Sequence, residues 1–452
     1  MQRREKAGIK YRKEKNEKGI TLIALVVTIV VLLILAGITI NMLFSNGGIF
    51  KTAQDAANAW NEATVNEQES LNNLADQIEN LVNGQVGGGS GGDGNIDPET
   101  GWDLDKVTKF PSKDEPSVNV PIPDGFTAST IEEEQKVEEG FVIKQDGTNN
   151  EFVWIPVNKE QLGKMYNTEN PGTPLSTYTG VDATTDVYSN LRDEDGSGDA
   201  FGGAPGSTTY REPDILIDTT SGDAITGNSE RGIEQIKSVF GFEEGNGNIL
   251  DQFAEMLVAD YEASYESIKK YGGFYIGRYE LTGSVASPTV QKGQAVLTGQ
   301  NWYNLYKACN GIVNTASAKS TMINGTQWDR VLEWLVETEE KSSAEVYSDS
   351  STWGNYSNYN SSVTSDKQVT DAGTKVFEAG SSEYWKANNI YDLAGNCSER
   401  TQEASNTNSR VGRGGGYSSS GSRNPASYRG SVVYPYSSNS YYSARPALYV
   451  AL

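Results

Sequence analysis

Histidine is missing altogether from this sequence of 452 residues. That removes the commonest general base, the Ser-His-Asp and Cys-His triads, the His-Cys zinc sites and the His-carboxylate iron sites. Cysteine is nearly missing too. Cys309 and Cys397 are the two present, and they can pair in an oxidising exterior or remain as core thiols. Positive charge is scarce, with 37 Lys and Arg against 60 Asp and Glu and a net of −23. A chain of that sign is poorly suited to displacing counterions from phosphates, which argues against nucleic acid as a partner. Apolar residues are few at 36%, whereas glycine reaches 48. That balance fits a loop-rich extracellular protein better than a compact cytosolic enzyme. The length leaves room for about two to three domains and at least one sizeable core.

The charge that is present is unevenly spread. Residues 1–19 hold eight Lys or Arg and three Asp or Glu, a net of +5, so the remainder carries −23 − 5 = −28. No charge lies between Lys18 and Lys51, and residues 20–40 are nearly all Ile, Leu, Val, Ala and Thr. As a helix that run is roughly 31 Å long, about one bilayer core, and the basic head sets its cytoplasmic end. A membrane-spanning helix is expected at 20–42. A cleaved secretory signal fits less well, because the run is too long and no small-x-small site follows it. The boundary Lys18-Gly19-Ile20-Thr21-Leu22-Ile23 resembles the processing site of type IV prepilins. The resemblance implies a leader over 1–19, cleavage between Gly19 and Ile20 by a prepilin peptidase, and methylation of Ile20. It also implies other pilin-like subunits as partners along the N-terminal helix. The chain would sit in the cytoplasmic membrane before assembly, then in a pilus or at the cell surface with its head outside. Pilins usually carry Glu five residues into the mature chain, and Ala24 stands there instead. That departure resembles minor or tip-located subunits. An uncleaved signal anchor is the plainer alternative.

Beyond Gly47-Gly48, Ala53, Ala56, Trp60, Ala63, Glu67, Leu71, Leu74, Ile78 and Leu81 recur every three or four residues. This is one stripe of an amphipathic helix, read as an assembly surface. Residues 20–83 therefore read as a long helix, kinked at the glycine pair. Residues 84–94 hold seven Gly in eleven, a flexible linker spanning roughly 18 Å. From 95 to 452 the text is that of one large mixed domain. Apolar runs at 141–143, 152–155 and 274–276 predict strands. Helices are expected at about 248–270 and 326–337, with an insertion of surface loops over about 160–245 that contains a helix near 230–240.

Several landmarks follow in a fixed order: Phe152-Val153-Trp154-Ile155-Pro156-Val157, Gly273-Phe274-Tyr275-Ile276-Gly277-Arg278-Tyr279-Glu280, and Trp302 onward to Asn310. Then come Gly325-Thr326-Gln327-Trp328-Asp329, Ile390-Tyr391-Asp392-Leu393-Ala394-Gly395-Asn396-Cys397-Ser398-Glu399, Arg410-Val411-Gly412-Arg413-Gly414-Gly415-Gly416-Tyr417 and Ala444-Arg445-Pro446-Ala447-Leu448. This order resembles the sulfatase-modifying-factor domain of the formylglycine-generating enzymes. It implies an α+β, C-type-lectin-like fold. Read as residues, the motifs are mostly scaffold: Gly395-Asn396 suits a tight turn, the glycine triplet a close backbone approach, and the tryptophans a large buried area. The family's copper-binding cysteine pair would follow the glycine triplet, where the chain has no cysteine. Its iron-dependent relatives need histidine. No catalytic and no metal-ligating residue is therefore assigned, and no cofactor is expected. Relatives of the fold often bind calcium, and Asp392, Asn396 and Glu399 lie near one turn that would serve it. Acidic runs such as Glu132-Glu133-Glu134 read as solvated faces.

The last segment departs most from average composition. From 417 to 443, Tyr, Ser and Asn make up 18 of 27 residues. No acid follows Glu403, while Arg410, Arg413, Arg423, Arg429 and Arg445 add five positive charges. This reads as a basic, aromatic patch on an acidic protein. Its composition is that of an antibody paratope, where Tyr offers contact area at low entropy and Ser and Asn offer adaptable hydrogen bonds. An ordinary Ser-rich loop is the plainer reading. The segment also resembles the variable regions written by diversity-generating retroelements, which alter adenines in Asn-type codons at the end of C-type-lectin-like genes. The positions so implied are Tyr417, Ser418, Ser420, Ser422, Asn424, Tyr428, Tyr434, Tyr436, Ser438, Asn439 and Tyr441. Together these readings describe a pilin-like protein that displays a ligand-binding head to a cell-surface protein, a glycan or a phage component. The rivals are a structural minor pseudopilin of a secretion or DNA-uptake machine, and a divergent enzyme of the formylglycine-generating type.

Overall fold

The structure is a computed structural model and describes residues 95–166, 230–243, 245, 248–359, 371–406 and 409–452. The expected leader with its Gly19/Ile20 boundary, the long helix and the glycine linker all lie outside the described residues, as does most of the insertion. Among the described residues no helix is long and apolar enough to cross a membrane. The described residues form one compact unit of mixed α+β architecture.

The head is organised by a sheet with apolar side chains on both faces. In β5 (Glu151–Pro156), Phe152 and Trp154 enter one core while Val153 and Ile155 enter another. Its neighbour β6 (Gly273–Gly277) does the same, with Tyr275 on one side and Phe274 and Ile276 on the other. Successive strand side chains point to opposite faces, so a strand covered on both sides reads as an unbroken apolar run. Each such buried side chain contributes roughly 2 kcal/mol. The sheet has six antiparallel strands. It begins with β3 (Phe126–Ala128), β4 (Val142–Gln145), β5 and β6, and continues through the last strand, β16 (Pro446–Val450), to β9 (Ala318–Met322). A separate hairpin of β1 (Val107–Pro111) and β2 (Asn119–Pro123) precedes it, α1 (Lys159–Tyr166) follows β5, and β7 (Thr282–Ser284) with β8 (Ser287–Thr289) follows β6.

Helices cover both faces. One core takes Ile236 and Val239 from α2 (Glu230–Phe240) and Trp302, Tyr303 and Leu305 from α4 (Trp302–Asn310). The other takes Trp328, Val331, Leu332 and Leu335 from α5 (Gly325–Glu337) and Val346 from α6 (Ser343–Tyr347). The 23-residue α3 (Ile249–Tyr271) serves both, with Phe253 and Leu257 in the first core and Tyr261 and Ile268 in the second. The side chain of Asn248 accepts from the Leu250 N–H to start α3, and Gly272 ends it at φ 76° with its N–H on the Ile268 carbonyl. A capping box of Asn324 and Gln327 opens α5.

After two short strands, β10 (Lys386–Ala387) and β11 (Ile390–Tyr391), the chain builds a second sheet. Its order is β14 (Arg429–Val433), β13 (Ser409–Arg413), β12 (Ser398–Asn406) and β15 (Tyr442–Ala444), with β12 and β15 parallel. A single residue, Arg445, then carries the chain out of this sheet into β16 at the heart of the first.

The strands expected at 141–143, 152–155 and 274–276 are present, as are the helices expected near 230–240, 248–270 and 326–337. The tryptophans expected as scaffold are buried at 102, 154, 302, 328, 334, 353 and 385, and Trp60 lies outside the described residues. Both cysteines are buried free thiols, which decides against their pairing. The expected turn at Gly395-Asn396 has φ of 75° and 57°. A Cβ on Gly395 would stand 2.3 Å from the Asn355 carbonyl oxygen, whereas Gly293, at φ 70°, faces open space. Gly395→Ala should therefore destabilise the head by about 3 kcal/mol, and Gly293→Ala by only about 1 kcal/mol. Denaturant unfolding of the two variants checks this, and equal losses would contradict it.

Candidate ligand-binding surface

Two loops of the second sheet carry the Tyr/Ser/Asn-rich segment. One, residues 414–428, joins β13 to β14; the other, residues 434–441, joins β14 to β15. Backbone bonds tie both to the scaffold. The Tyr417 N–H donates to the Asn396 carbonyl (2.9 Å) and the Ser398 N–H to the Tyr441 carbonyl (3.0 Å), so a single turn holds one residue of each loop. The Tyr417 and Tyr441 rings end 5.9 Å apart. Ser357 N–H reaches the Ser419 carbonyl (2.9 Å), and Trp328 Nε1 donates to the Ala426 carbonyl (3.1 Å). At the second loop, Trp302 N–H reaches the Pro435 carbonyl (2.9 Å) and Gly299 N–H the Asn439 carbonyl (3.1 Å).

Of the residues singled out by sequence, Ser418, Ser422, Tyr434, Ser438 and Tyr441 are exposed. Tyr417, Ser420, Tyr428, Tyr436 and Asn439 are half-buried, and Asn424 is buried. Between them Gly421, Pro425, Ala426, Ser427, Gly430 and Pro435 are buried, whereas Ser419, Arg429 and Ser437 are half-buried and Arg423 and Ser440 are exposed. Tyr434 and Tyr436 stack with centroids 5.3 Å apart and planes 7° apart. The Arg231 guanidinium lies 5.3 Å from the Tyr436 ring centroid. Arg231 comes from α2, about two hundred residues earlier (436 − 231 = 205). Nothing in its local sequence marks it; only the packing of α2 brings it to the loops. Ser420 and Ser422 share a hydroxyl–hydroxyl bond of 2.7 Å. The Tyr417 phenol is pushed up, by burial first and then by Tyr441, so it presents an O–H donor at neutral pH. The surface thus offers flat aromatic area and neutral donors and acceptors, a set suited to non-covalent recognition.

The expected basic patch does not form. Arg410, Arg413 and Arg445 are at most 1% exposed and Arg429 is largely covered; Arg423 alone of the five is exposed. Arg413 and Arg429 are cross-strand neighbours on β13 and β14, and like charges so placed repel. Two acids resolve this. Asp329 of α5 accepts from Nη2 of both arginines, and Glu403 of β12 takes Arg413 Nη1 at 3.2 Å and Arg429 Nε at 2.9 Å. Arg410 lies 4.4 Å from the Trp302 ring centroid and donates to the Gln402 carbonyl at 2.9 Å. Arg445 donates through Nε and Nη2 to Glu399 (2.8 and 2.5 Å), and also to the carbonyls of Gly277 and Tyr391 (2.9 Å each). Pairing with a carboxylate, a carbonyl or an aromatic face offsets part of the cost of burying a guanidinium. Counting charges along the chain finds these arginines but not the distant acids that receive them.

Three buried carboxyls, Glu280, Asp392 and Glu399, surround the single cation of Arg445. Burial, reinforced by Asp392 and Glu399, pushes Glu280 well up. Burial also pushes Asp392 up to about 7, against the pull of the Gly380 N–H and Arg445. A calcium ion at the turn of Asp392, Asn396 and Glu399, as in relatives of the resembled fold, does not suit this arrangement. Glu399 is spent on Arg445, and Asn396 Oδ1 accepts from Asn355 Nδ2 and the Phe377 N–H (2.9 Å each). That leaves one Asp392 oxygen bare, and among the described residues no group of three or more Cys, Asp or Glu can hold a metal ion. Burial pushes both thiols, Cys309 and Cys397, well above their ordinary range, which withholds the thiolate that metal or nucleophilic chemistry needs.

No family model matches the chain, and no curated protein matches it. Among solved structures it is similar to Treponema denticola variable protein 1, at 17% sequence identity and a TM-score of 0.27, over 39% of this chain and 84% of that chain. A likeness at that score carries no weight for fold or function.

Two outcomes follow from the buried charges. Asp329→Ala removes the carboxylate that Arg413 and Arg429 share, and should lower unfolding free energy by about 3–5 kcal/mol in denaturant titrations. A loss below about 1 kcal/mol would contradict the assignment. Asp392 binds its proton more tightly folded than unfolded, with a pKa raised from 3.8 to about 7. Its stabilising contribution is complete at low pH and is lost as pH rises through 7. The melting temperature should fall between about pH 4 and pH 7, and Asp392→Asn should reduce that slope. An unchanged slope would refute the role given to Asp392.

Proposed function

We propose that this chain is a pilin-like, surface-displayed binding protein. Its head, of the C-type-lectin-like, sulfatase-modifying-factor type, recognises a cell-surface protein, a glycan or a phage component through the loops at 417–441. One observation supports this most. Apart from Asn424, every position singled out in that segment is exposed or half-buried, while Gly421, Pro425, Ala426, Ser427, Gly430 and Pro435 between them are buried and backbone bonds hold both loops to the scaffold. A surface built this way can change its outer residues without changing its fold. Retroelement diversification requires that separation, and we include diversification in the proposal.

The reading is of a binder rather than an enzyme. Both thiols are buried, histidine is absent, and the outward groups are phenols, hydroxyls and amides. Display rests on the sequence alone: the Gly19/Ile20 boundary, the apolar run at 20–42 and the glycine linker at 84–94. Other pilin-like subunits would assemble along the N-terminal helix after prepilin peptidase acts.

Binding to glycan and surface-protein arrays, compared with Tyr417→Ala, Tyr436→Ala and Tyr441→Ala, tests recognition. Each change should weaken binding by about 2 kcal/mol, roughly thirtyfold in Kd, with the melting temperature little changed. Undiminished binding in all three would sink the assignment. The flanking DNA tests diversification. The expected finding is a reverse-transcriptase gene with a near-copy of the codons for 410–445 that differs only at adenines; its absence would make the segment an ordinary loop.

A further inference from the structure

A groove that shares no residue with the tyrosine-bearing loops opens between the β1–β2 turn and the C-terminal half of α5, with a volume of about 390 Å³. We propose that it is a second binding site, which takes the Lys or Arg side chain of an extended basic peptide from a partner protein.

The floor is apolar. Trp334, Val157 and Val137 are buried beneath it, and Pro156 and Val118 form its sides. Such a floor suits the alkyl stem of a long cationic side chain, which packs its methylenes and keeps its charge at the mouth. The rims are acidic. Asp114, Glu115 and Glu138 stand on one side and Glu337 on the other.

The one cation lining the groove is already committed. Arg330 is 1% exposed; its Nη1 and Nη2 lie 2.8 and 2.7 Å from the two Glu337 oxygens, and its Nε donates to the Pro156 carbonyl at 3.1 Å. It therefore cancels Glu337 and leaves Asp114, Glu115 and Glu138 with no other cation among the lining residues; Lys136, outside the groove, pairs with Glu139 at 2.8 Å and acts on Asp114 only as a secondary neighbour. Asp114 is fixed in its charged form. Burial pushes its carboxyl up, but the Ser112 hydroxyl and the N–H groups of Glu138, Val137 and Glu115 outweigh that and hold it below its usual range. Those bonds also lock the rim, since they join the 112–118 turn to residues 137 and 138. Glu115 and Glu138 are exposed and project from this fixed rim. Three negative charges around one recess repel one another, and an arriving cation relieves that repulsion while its stem displaces water from the floor.

The test uses the full chain in detergent and a fluorescent Ala-Lys-Ala-Lys-Ala peptide, followed by anisotropy. Saturable binding that weakens with salt is expected. Glu115→Gln combined with Glu138→Gln should weaken it about tenfold. Glu132→Gln combined with Glu133→Gln removes the same charge outside the groove and should leave it unchanged. Acetylating the peptide's lysines should abolish binding, and replacing them by diaminopropionate, which lacks the stem, should weaken it. Tyr417→Ala with Tyr441→Ala should have no effect, which separates this site from the loop surface. No saturable binding, equal binding of the acetylated peptide, or equal weakening by the two Glu pairs would overturn the proposal.

Discussion

Two arginines on adjacent strands, Arg413 and Arg429, share two buried carboxylates, Asp329 and Glu403. The rest of the candidate surface depends on that arrangement. It joins helix α5, which packs into the second core, to three strands of the second sheet. None of the four charges tolerates burial alone, so the strands have one register and one distance from the helix at which all are met. Arg445 repeats the device where the chain passes from the second sheet into the first, fixed by Glu399 and two carbonyls. Between these anchors, the ends of β13, β14 and β15 are set independently of what the loops carry.

That frame also alters the meaning of the chain's charge. The segment after Glu403 is the most basic part of the head, yet Arg413, Arg429 and Arg445 neutralise internal acids, Arg410 packs on Trp302, and the face left to solvent is mainly tyrosine and serine with Arg423. The frame still leaves charge strain nearby. Glu280, Asp392 and Glu399 crowd around one guanidinium, directly below the turn that bonds to Tyr417 and Tyr441. Bonds from Asn396 and Cys397 to Glu280, and from Gly380 to Asp392, hold that turn in place.

Much of the fold was legible because local sequence and tertiary position agree. The run Phe152-Val153-Trp154-Ile155 reads as a buried strand and is one, since both faces of its sheet are covered. The helix expected at about 326–337 is α5, and Gly395-Asn396 form the expected turn, with positive φ. The outward tyrosines and serines were legible from composition, because buried loops rarely carry so many. The arginines were misread for a physical reason: Arg413 meets Asp329 across 84 positions and Arg429 meets it across 100. Strand periodicity gives no sign of such partners. Asn424 was misplaced because its loop turns inward at Gly421, where a Cβ would stand 2.4 Å from the Ser351 nitrogen. Arg231 reaches Tyr436 only through the packing of α2.

The central claim is that a buried ionic frame carries the fold, so that the loop surface is free to change. Two display libraries sorted for protease resistance test this directly. One randomises the outward positions of 417–441, and the other randomises Asp329, Glu403, Arg413 and Arg429. Most members of the first library should stay folded and few of the second should. Comparable losses in both would contradict the account.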